Sequence, residues 1–186
     1  MREDLQRIID ELDGIDRSAD ALAGRLSDEQ FHWQPDGGRA WSVAQCLEHL
    51  AVINAFYITP VRKGVDDARA RGLKGGGPIR STIFGRTFIR TLEPPVTWRM
   101  RASSGMVPRS AGNREEILLA FHAAHDRVRD TVRAAADIDV NRATYMNPFL
   151  TFVRMRVGTG LRIITAHDRR HLWQAEQVLL KPGFPR

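Results

Sequence analysis

The chain of 186 residues has few or none of three features that define several protein classes, namely cysteines, long apolar runs and lysines. Its single cysteine, Cys46, excludes an internal disulfide and any multi-cysteine zinc site, so a metal site has to use His, Asp and Glu. No uninterrupted apolar run approaches the roughly 18 residues of a membrane span. The charged N-terminus does not resemble a signal peptide. We therefore predict a cytoplasmic protein without a membrane partner.

Lysine is scarce too, because nearly all of the 28 basic residues are arginine. The formal net charge of +6 raises the question of a nucleic-acid partner. However, the arginines are scattered along the chain and lack the interleaved aromatic residues on which bases stack. We predict no nucleic-acid partner and expect a small-molecule substrate instead.

The apolar residues recur at helical spacing over most of the chain. The pattern predicts helices over residues 3–26, 42–70, 80–92, 113–136 and 149–180. Capping boxes mark two of the starts, Ser42 with Gln45 and Asn113 with Glu116. The connection between the second and third long helices is too long for a simple hairpin. We predict one all-α domain over residues 1–186, a four-helix bundle with one long crossover, one or two short helices and no strand.

Three histidines are predicted to face the interior of this bundle. His167 and His171 lie four residues apart in the last helix, which places them on one face, about 6 Å apart along the axis. His49 lies on an otherwise apolar stripe of the second long helix. A buried imidazole nitrogen without a partner costs about 1–3 kcal/mol. Three histidines that converge in the interior therefore favour a bound metal ion. The alternative is that they are structural or surface histidines.

A three-histidine site has a definite chemistry. Neutral imidazole suits zinc, nickel, copper and iron. Three protein ligands leave a coordination position for water or substrate, which is the catalytic rather than the structural pattern. A metal in such a site lowers the pKa of a bound water or thiol and makes it a nucleophile. Among the divalent transition metals we expect zinc or nickel.

Three further polar residues are candidates for the surroundings of the metal. Gln174 lies about one turn after His171 and can hydrogen-bond a ligand or a substrate. Asp168 lies within the motif, where a general-base role and a hydrogen bond to a ligand histidine are both open; we favour the hydrogen bond. His125 faces the core side of the third long helix and either lines the pocket or is an ordinary core histidine. No catalytic residue is assigned.

Two segments resemble the DinB/YfiT-like superfamily, whose members are regarded as metalloenzymes. The first is Trp41-Ser42-Val43-Ala44-Gln45-Cys46-Leu47-Glu48-His49-Leu50, with its Trp-Ser helix start and a histidine seven residues after the serine. The second is Ala166-His167-Asp168-Arg169-Arg170-His171-Leu172-Trp173-Gln174, a late His-Asp-x-x-His followed by Gln. Together the segments are fairly specific, and the resemblance extends over nearly the whole chain.

The resemblance implies a bacterial four-helix bundle, often a homodimer, with His49, His167 and His171 as the metal ligands. Characterised relatives include S-transferases and isomerases that use mycothiol, bacillithiol or related low-molecular-weight thiols, and many other members have no known activity. We therefore expect a metal-dependent thiol transferase. Two alternatives stay open: a hydrolase using metal-bound hydroxide, and a non-catalytic metal- or ligand-binding stress-response module.

Overall fold

The computed structural model describes residues 1–96, 106–108 and 112–186, and its architecture is a helical bundle. The helices are α1 (Glu3–Gly24), α2 (Asp28–His32), α3 (Pro35–Gly38), α4 (Val43–Ala70), α5 (Ile83–Leu92), α6 (Arg114–Ala134) and α7 (Val157–Val178). Of the four long helices, α1 and α4 each pack against both α6 and α7, which closes the bundle. The predicted all-α fold is confirmed. None of the described helices is both long and apolar enough to cross a membrane.

Helices α4 and α6 begin where their capping residues predicted. The Ser42 hydroxyl accepts from the Gln45 amide at 3.1 Å, and the Gln45 side chain accepts from the Ser42 amide at 3.0 Å. The same reciprocal pair forms between Asn113 and Glu116 at the start of α6. Each box satisfies two of the amides that a helix N-terminus otherwise leaves without partners. The box at Ser42 therefore fixes where α4 starts and, seven residues later, where His49 lies.

The prediction that the chain contains no strand was wrong, and so was the start of the last helix. Residues Thr144–Met146 form β1 and Arg154–Arg156 form β2, a two-stranded antiparallel sheet in which Tyr145 opposes Met155. Both central side chains are buried and their neighbours are more exposed, which is the alternation of a strand. Three residues are too few for that period to stand out in the sequence. As a result α7 begins at Val157 rather than near residue 149.

The long crossover between α4 and α6 contains the predicted short helix, observed as α5, which packs against α7. Residues 97–105 and 109–111 of the crossover lie outside the described part of the chain. Its first segment is tied to the loop after α6, because the Gly75 amide donates to the Asp137 carbonyl and the Asp139 amide donates to the Leu73 carbonyl. This connection holds one end of the crossover against the bundle.

The core consists of two apolar clusters, and each long helix contributes to both of them. On α4 the chain passes from one cluster to the other between Ile53 and Tyr57, and on α6 between Phe121 and Val128. On α7 the corresponding gap runs from Ala166 to Leu172. His167 and His171 both fall in that gap, so the predicted site lies at the boundary between the two apolar clusters.

Candidate metal centre

The structure brings His49, His167 and His171 together between α4 and α7. Each offers a ring nitrogen, and these nitrogens all lie within 4.8 Å of one another. The ring centroids are 5.4 Å apart for His49 and His167, 4.6 Å for His49 and His171, and 4.5 Å for the pair on α7. We call these three side chains the histidine cluster. Among the described residues it is the group whose geometry could hold a metal ion.

The separation is close to what one ion requires. In a tetrahedral zinc site with bonds of about 2.0–2.1 Å, two ligand nitrogens lie about 3.4 Å apart. A pair at the observed limit of 4.8 Å would have to close by about 1.4 Å, which rotations of both side chains about their χ angles supply. The helical spacing of four residues on α7 and the packing of α4 against α7 therefore suffice to build the cluster.

The tautomer of His49 is set by the crossover. Its Nδ1 atom lies 2.8 Å from the carbonyl oxygen of Met106, which can only accept, so Nδ1 carries the proton and donates. In a neutral ring this leaves Nε2 with a free lone pair. A ligand histidine with its second nitrogen donating to a backbone carbonyl is a common arrangement around metals.

All three histidines of the cluster favour the neutral form, which is the form that binds a metal. Burial lowers the pKa of His49, against smaller opposing effects of the Met106 carbonyl and of Asp168. Burial, reinforced by His49, lowers the pKa of His167 to about 4. Burial and the two neighbouring histidines lower the pKa of His171 well below its usual value. The cluster thus presents three uncharged donors at neutral pH.

The fit to a metal is supported by a buried atom of His171. Its Nδ1 atom is inaccessible to solvent and has no hydrogen-bond partner in the described part of the chain. A ring nitrogen in that condition loses about 1–3 kcal/mol unless something satisfies it. Together with the uncharged donor set, this makes the residues present a suitable site for a divalent transition metal.

Trp41 forms one wall of the cluster. Its ring stacks on His171 with a centroid distance of 5.6 Å and an interplanar angle of 28°, and lies 4.8 Å from His49. Gln174, a predicted neighbour, forms a hydrogen bond with His171 that partly opposes the lowering of the His171 pKa. Cys46 is fully buried one turn before His49, and burial raises the pKa of its thiol, so it remains a small apolar residue.

Asp168 and His125, the other predicted neighbours, are completely buried and contact each other. Oδ1 of Asp168 accepts from Asn54 Nδ2 at 2.8 Å, and Oδ2 lies 3.4 Å from His125 Nε2. On its other side His125 donates from Nδ1 to Asp16. The hydrogen bond that we expected from Asp168 to a ligand histidine is therefore replaced by contacts with Asn54 and His125.

His125 has the opposite protonation state to the cluster. Burial acts to lower its pKa, but Asp168 and Asp16 together raise it to about 9, so the ring is charged at neutral pH. Burial likewise acts to raise the pKa of Asp16, and His125 and Arg129 lower it below its usual value. Opposite charges at 3.4 Å or less here outweigh the effect of burial on each group.

The sequence did not identify Trp41, Asn54, Asp16 or the Met106 carbonyl as parts of this region. A signal existed for two of them. Asn54 lies four residues after buried Leu50 on α4, and Asp16 lies four residues after buried Leu12 on α1, so each is a polar residue on an apolar face. Such a residue needs a buried partner. Trp41 precedes its helix and the Met106 atom is backbone, so helical periodicity could not find either.

A helical bundle with three neutral histidines converging from two adjacent helices defines a candidate metalloprotein. The family model of the DinB superfamily matches residues 11–175 of the chain. The protein therefore belongs to the DinB superfamily, as its two motifs predicted. No curated protein and no solved structure matches the chain.

Proposed function

We propose that the protein is a divalent-metal-dependent enzyme that transfers a low-molecular-weight thiol to an electrophilic small molecule. The observation that carries the proposal is the convergence of three uncharged histidine nitrogens within 4.8 Å. His49, His167 and His171 would hold the ion, with zinc or nickel as the expected metal. When bound, such an ion favours the thiolate form of a thiol that reaches it, and the thiolate is the nucleophilic form.

The surrounding residues would prepare the site rather than react. The Met106 carbonyl keeps the His49 proton on Nδ1, and Trp41 covers one side of the cluster against solvent. Gln174 orients His171 through its hydrogen bond. Asp168 is completely buried and contacts Asn54 and His125. This position argues against a role as a general base that contacts the substrate.

Metal analysis of the purified protein is the first test. We expect about one equivalent of zinc or nickel per chain in the wild type, bound or taken up on titration. His49→Ala, His167→Ala and His171→Ala should each lose it. His122→Ala is the matched control, because His122 is a partly exposed histidine on α6 that pairs with Asp20. A wild-type protein that neither carries nor binds a divalent metal would overturn the proposal.

The reaction is tested next, with the metal-loaded protein. Consumption of thiol should be measured with a panel of low-molecular-weight thiols and an electrophilic acceptor, and the three alanine variants should be inactive. Metal-dependent hydrolysis of an ester without any use of thiol would instead indicate the hydrolase. A protein that binds metal stoichiometrically but shows neither activity would indicate a binding module.

We also propose that the protein forms a homodimer through an exposed apolar patch. Phe149, Leu150 and Phe152 protrude from the loop between β1 and β2, and Phe152 is 84% exposed. The ring of Phe149 lies 5.6 Å from that of Phe56, which is itself partly exposed on α4. A contiguous apolar surface of this kind typically marks an interaction site, and the resemblance to often dimeric proteins suggests a second copy as the partner.

Light scattering tests the dimer. We expect the wild type to have twice the 21.0 kDa mass of the chain, and Phe149→Ser with Phe152→Ser to reduce it to the monomer. Leu119→Ser is the control, because Leu119 is as exposed and apolar but lies on α6. A monomeric wild type, or a double variant that stays dimeric, would contradict the proposal.

A further inference from the structure

A buried polar layer crosses the bundle at the boundary between its two apolar clusters. It takes one residue from each long helix: Asp16 from α1, Asn54 from α4, His125 from α6 and Asp168 from α7. Asn54, His125 and Asp168 are each 1% exposed or less, and Asp16 is partly buried. We call these four residues the polar layer. Four polar side chains at one level of a bundle core require a reason, because burying them is unfavourable unless they satisfy each other.

Asp168 is the centre of the layer. One oxygen accepts from Asn54 at 2.8 Å, and the other faces His125 Nε2 at 3.4 Å. Beyond His125, Asp16 accepts from the ring and also accepts from Arg129, whose guanidinium reaches Asp13 as well. The chain of contacts therefore runs from α4 through α7 and α6 to α1, and its charges alternate in sign from Asp168 through His125 and Asp16 to Arg129.

The layer adjoins the histidine cluster on both of the helices that carry it. Asp168 directly follows His167 on α7, and Asn54 lies five residues after His49 on α4. The hydrogen bond between Asn54 and Asp168 consequently joins the two helices close to the point where their histidines must meet. The negative charge of Asp168 also acts on His49 and His167, where it favours positive charge.

We propose that Asp168, held by Asn54 and His125, is a positioning residue for the metal centre. It fixes α7 against α4, so that His167 and His171 stay in reach of His49. It also supplies the fixed negative charge that a cation bound by three uncharged histidines lacks. This inference rests on the proposed metal site and adds to it the residues that determine its affinity and geometry.

A purely architectural layer would make a different prediction. Buried polar groups can serve only to set the register of the helices, and then their loss would lower the free energy of unfolding without changing the metal site of the folded protein. The two roles separate when metal affinity and coordination geometry are measured on variants that remain folded.

The test uses the metal-free full-length protein titrated with Zn²⁺ and, separately, with Co²⁺, whose visible absorption reports coordination geometry. Asp168→Asn removes the charge and keeps an oxygen that can accept from Asn54. Asn54→Ala keeps the charge and removes the hydrogen bond between the helices. Asp20→Asn is the matched control, because Asp20, like Asp168, is an aspartate that contacts a histidine of α6, but it lies on α1 and on the exposed side.

We expect Asp168→Asn and Asn54→Ala each to weaken Zn²⁺ binding by about 10-fold, the lower end of the effect of losing a direct hydrogen-bond partner of a ligand, since both residues act on the ligands through the helices. The Co²⁺ spectrum of Asn54→Ala should shift, and Asp20→Asn should match the wild type in both measurements. Asp168→Glu, which keeps the charge, should recover part of the affinity lost in Asp168→Asn. Thermal unfolding without metal identifies variants that fold.

The inference is overturned if the folded variants bind Zn²⁺ within twofold of the wild type and give its Co²⁺ spectrum. If Asp168→Asn does not fold, Asn54→Ala and Asp168→Glu decide by the same criterion. A wild type that binds neither metal overturns the proposed metal site together with this inference. A wild type that binds metal, with variants that bind it equally well, overturns the inference alone.

Discussion

The interior of the bundle contains buried and partly buried histidines of two kinds. The three rings of the histidine cluster are held in the neutral form, and the pKa of His167 falls to about 4. His125 is buried at least as completely, yet the pKa of its ring rises to about 9. The difference lies in the neighbours, because the cluster histidines face one another whereas His125 lies between Asp16 and Asp168.

This contrast shows that burial alone does not set the charge of a histidine. Burial disfavours the imidazolium in both places, and only at His125 do two carboxylates outweigh it. The outcome suits two different tasks. Uncharged rings can donate lone pairs to a metal, whereas a charged ring can neutralise Asp168, which no solvent reaches, and the partly buried Asp16. Asp168 contacts His125 and adjoins His167, so it links the two kinds of site.

Among the changes that test this contrast, removal of the charged histidine is expected to have the largest effect on stability. We expect His125→Leu to lower the free energy of unfolding by about 3–5 kcal/mol, the range for a buried ion pair that loses one partner. Asp168 would keep Asn54 but lose its counter-charge, and Asp16 would keep Arg129. Urea denaturation of the metal-free protein at neutral pH measures the change.

His122→Leu is the control, because His122 is on the same helix but partly exposed. It pairs with Asp20 at the surface and lies 3.6 Å from Asp16, which keeps its contacts with His125 and Arg129 in this variant. Surface pairs contribute about 0–1 kcal/mol, so this variant should unfold almost like the wild type. Equal losses in the two variants would show that the charge on His125 has no special role. His125→Leu combined with Asp168→Asn should be less destabilised than His125→Leu alone, since it leaves no unpaired charge at Asp168.

The fold was predictable to the extent that it follows from local signals. The capping boxes at Ser42 and Asn113 gave the starts of α4 and α6, since the cap residue and its partner lie three positions apart in sequence. Strands β1 and β2 were not predicted because each is three residues long and is defined by its pairing with the other. Pairing between distant segments leaves no period in so short a stretch.

The candidate site, like the fold, was predictable only where local signals in the sequence define it. The spacing of His167 and His171 and the apolar stripe around His49 were enough to predict that the three rings meet, and the structure brings them together. The contacts of Asp168 were not predictable, because Asn54 and His125 reach it from α4 and α6. A helical pattern predicts which face a residue occupies, but it does not predict which residue of another helix lies opposite.

The pH dependence of stability tests the same contrast in the unsubstituted protein. The expected change in the free energy of unfolding is smaller than that of His125→Leu. The unfolded-state pKa of histidine is about 6.5. His125 has a raised pKa in the folded protein, so its stabilisation is complete below pH 6.5 and is lost as pH rises through about 9. The cluster histidines have lowered pKa values, so the metal-free protein loses stability as pH falls from 6.5 towards about 4, where His167 titrates.

The free energy of unfolding of the metal-free protein, measured from pH 4 to pH 10, should therefore decline on both sides, and His125 accounts for at most about 3.4 kcal/mol of the alkaline decline. Each decline has its own control. His125→Leu should lose the decline between pH 6.5 and about 8.5 and keep the acidic one, since the cluster is unchanged. Above about pH 8.5 the raised pKa of the buried Cys46 thiol adds a decline that both proteins share. Saturating Zn²⁺ should deepen the acidic decline, because protons compete with the metal for the same ring nitrogens. A decline between pH 6.5 and about 8.5 that persists in His125→Leu would show that His125 is not the group responsible.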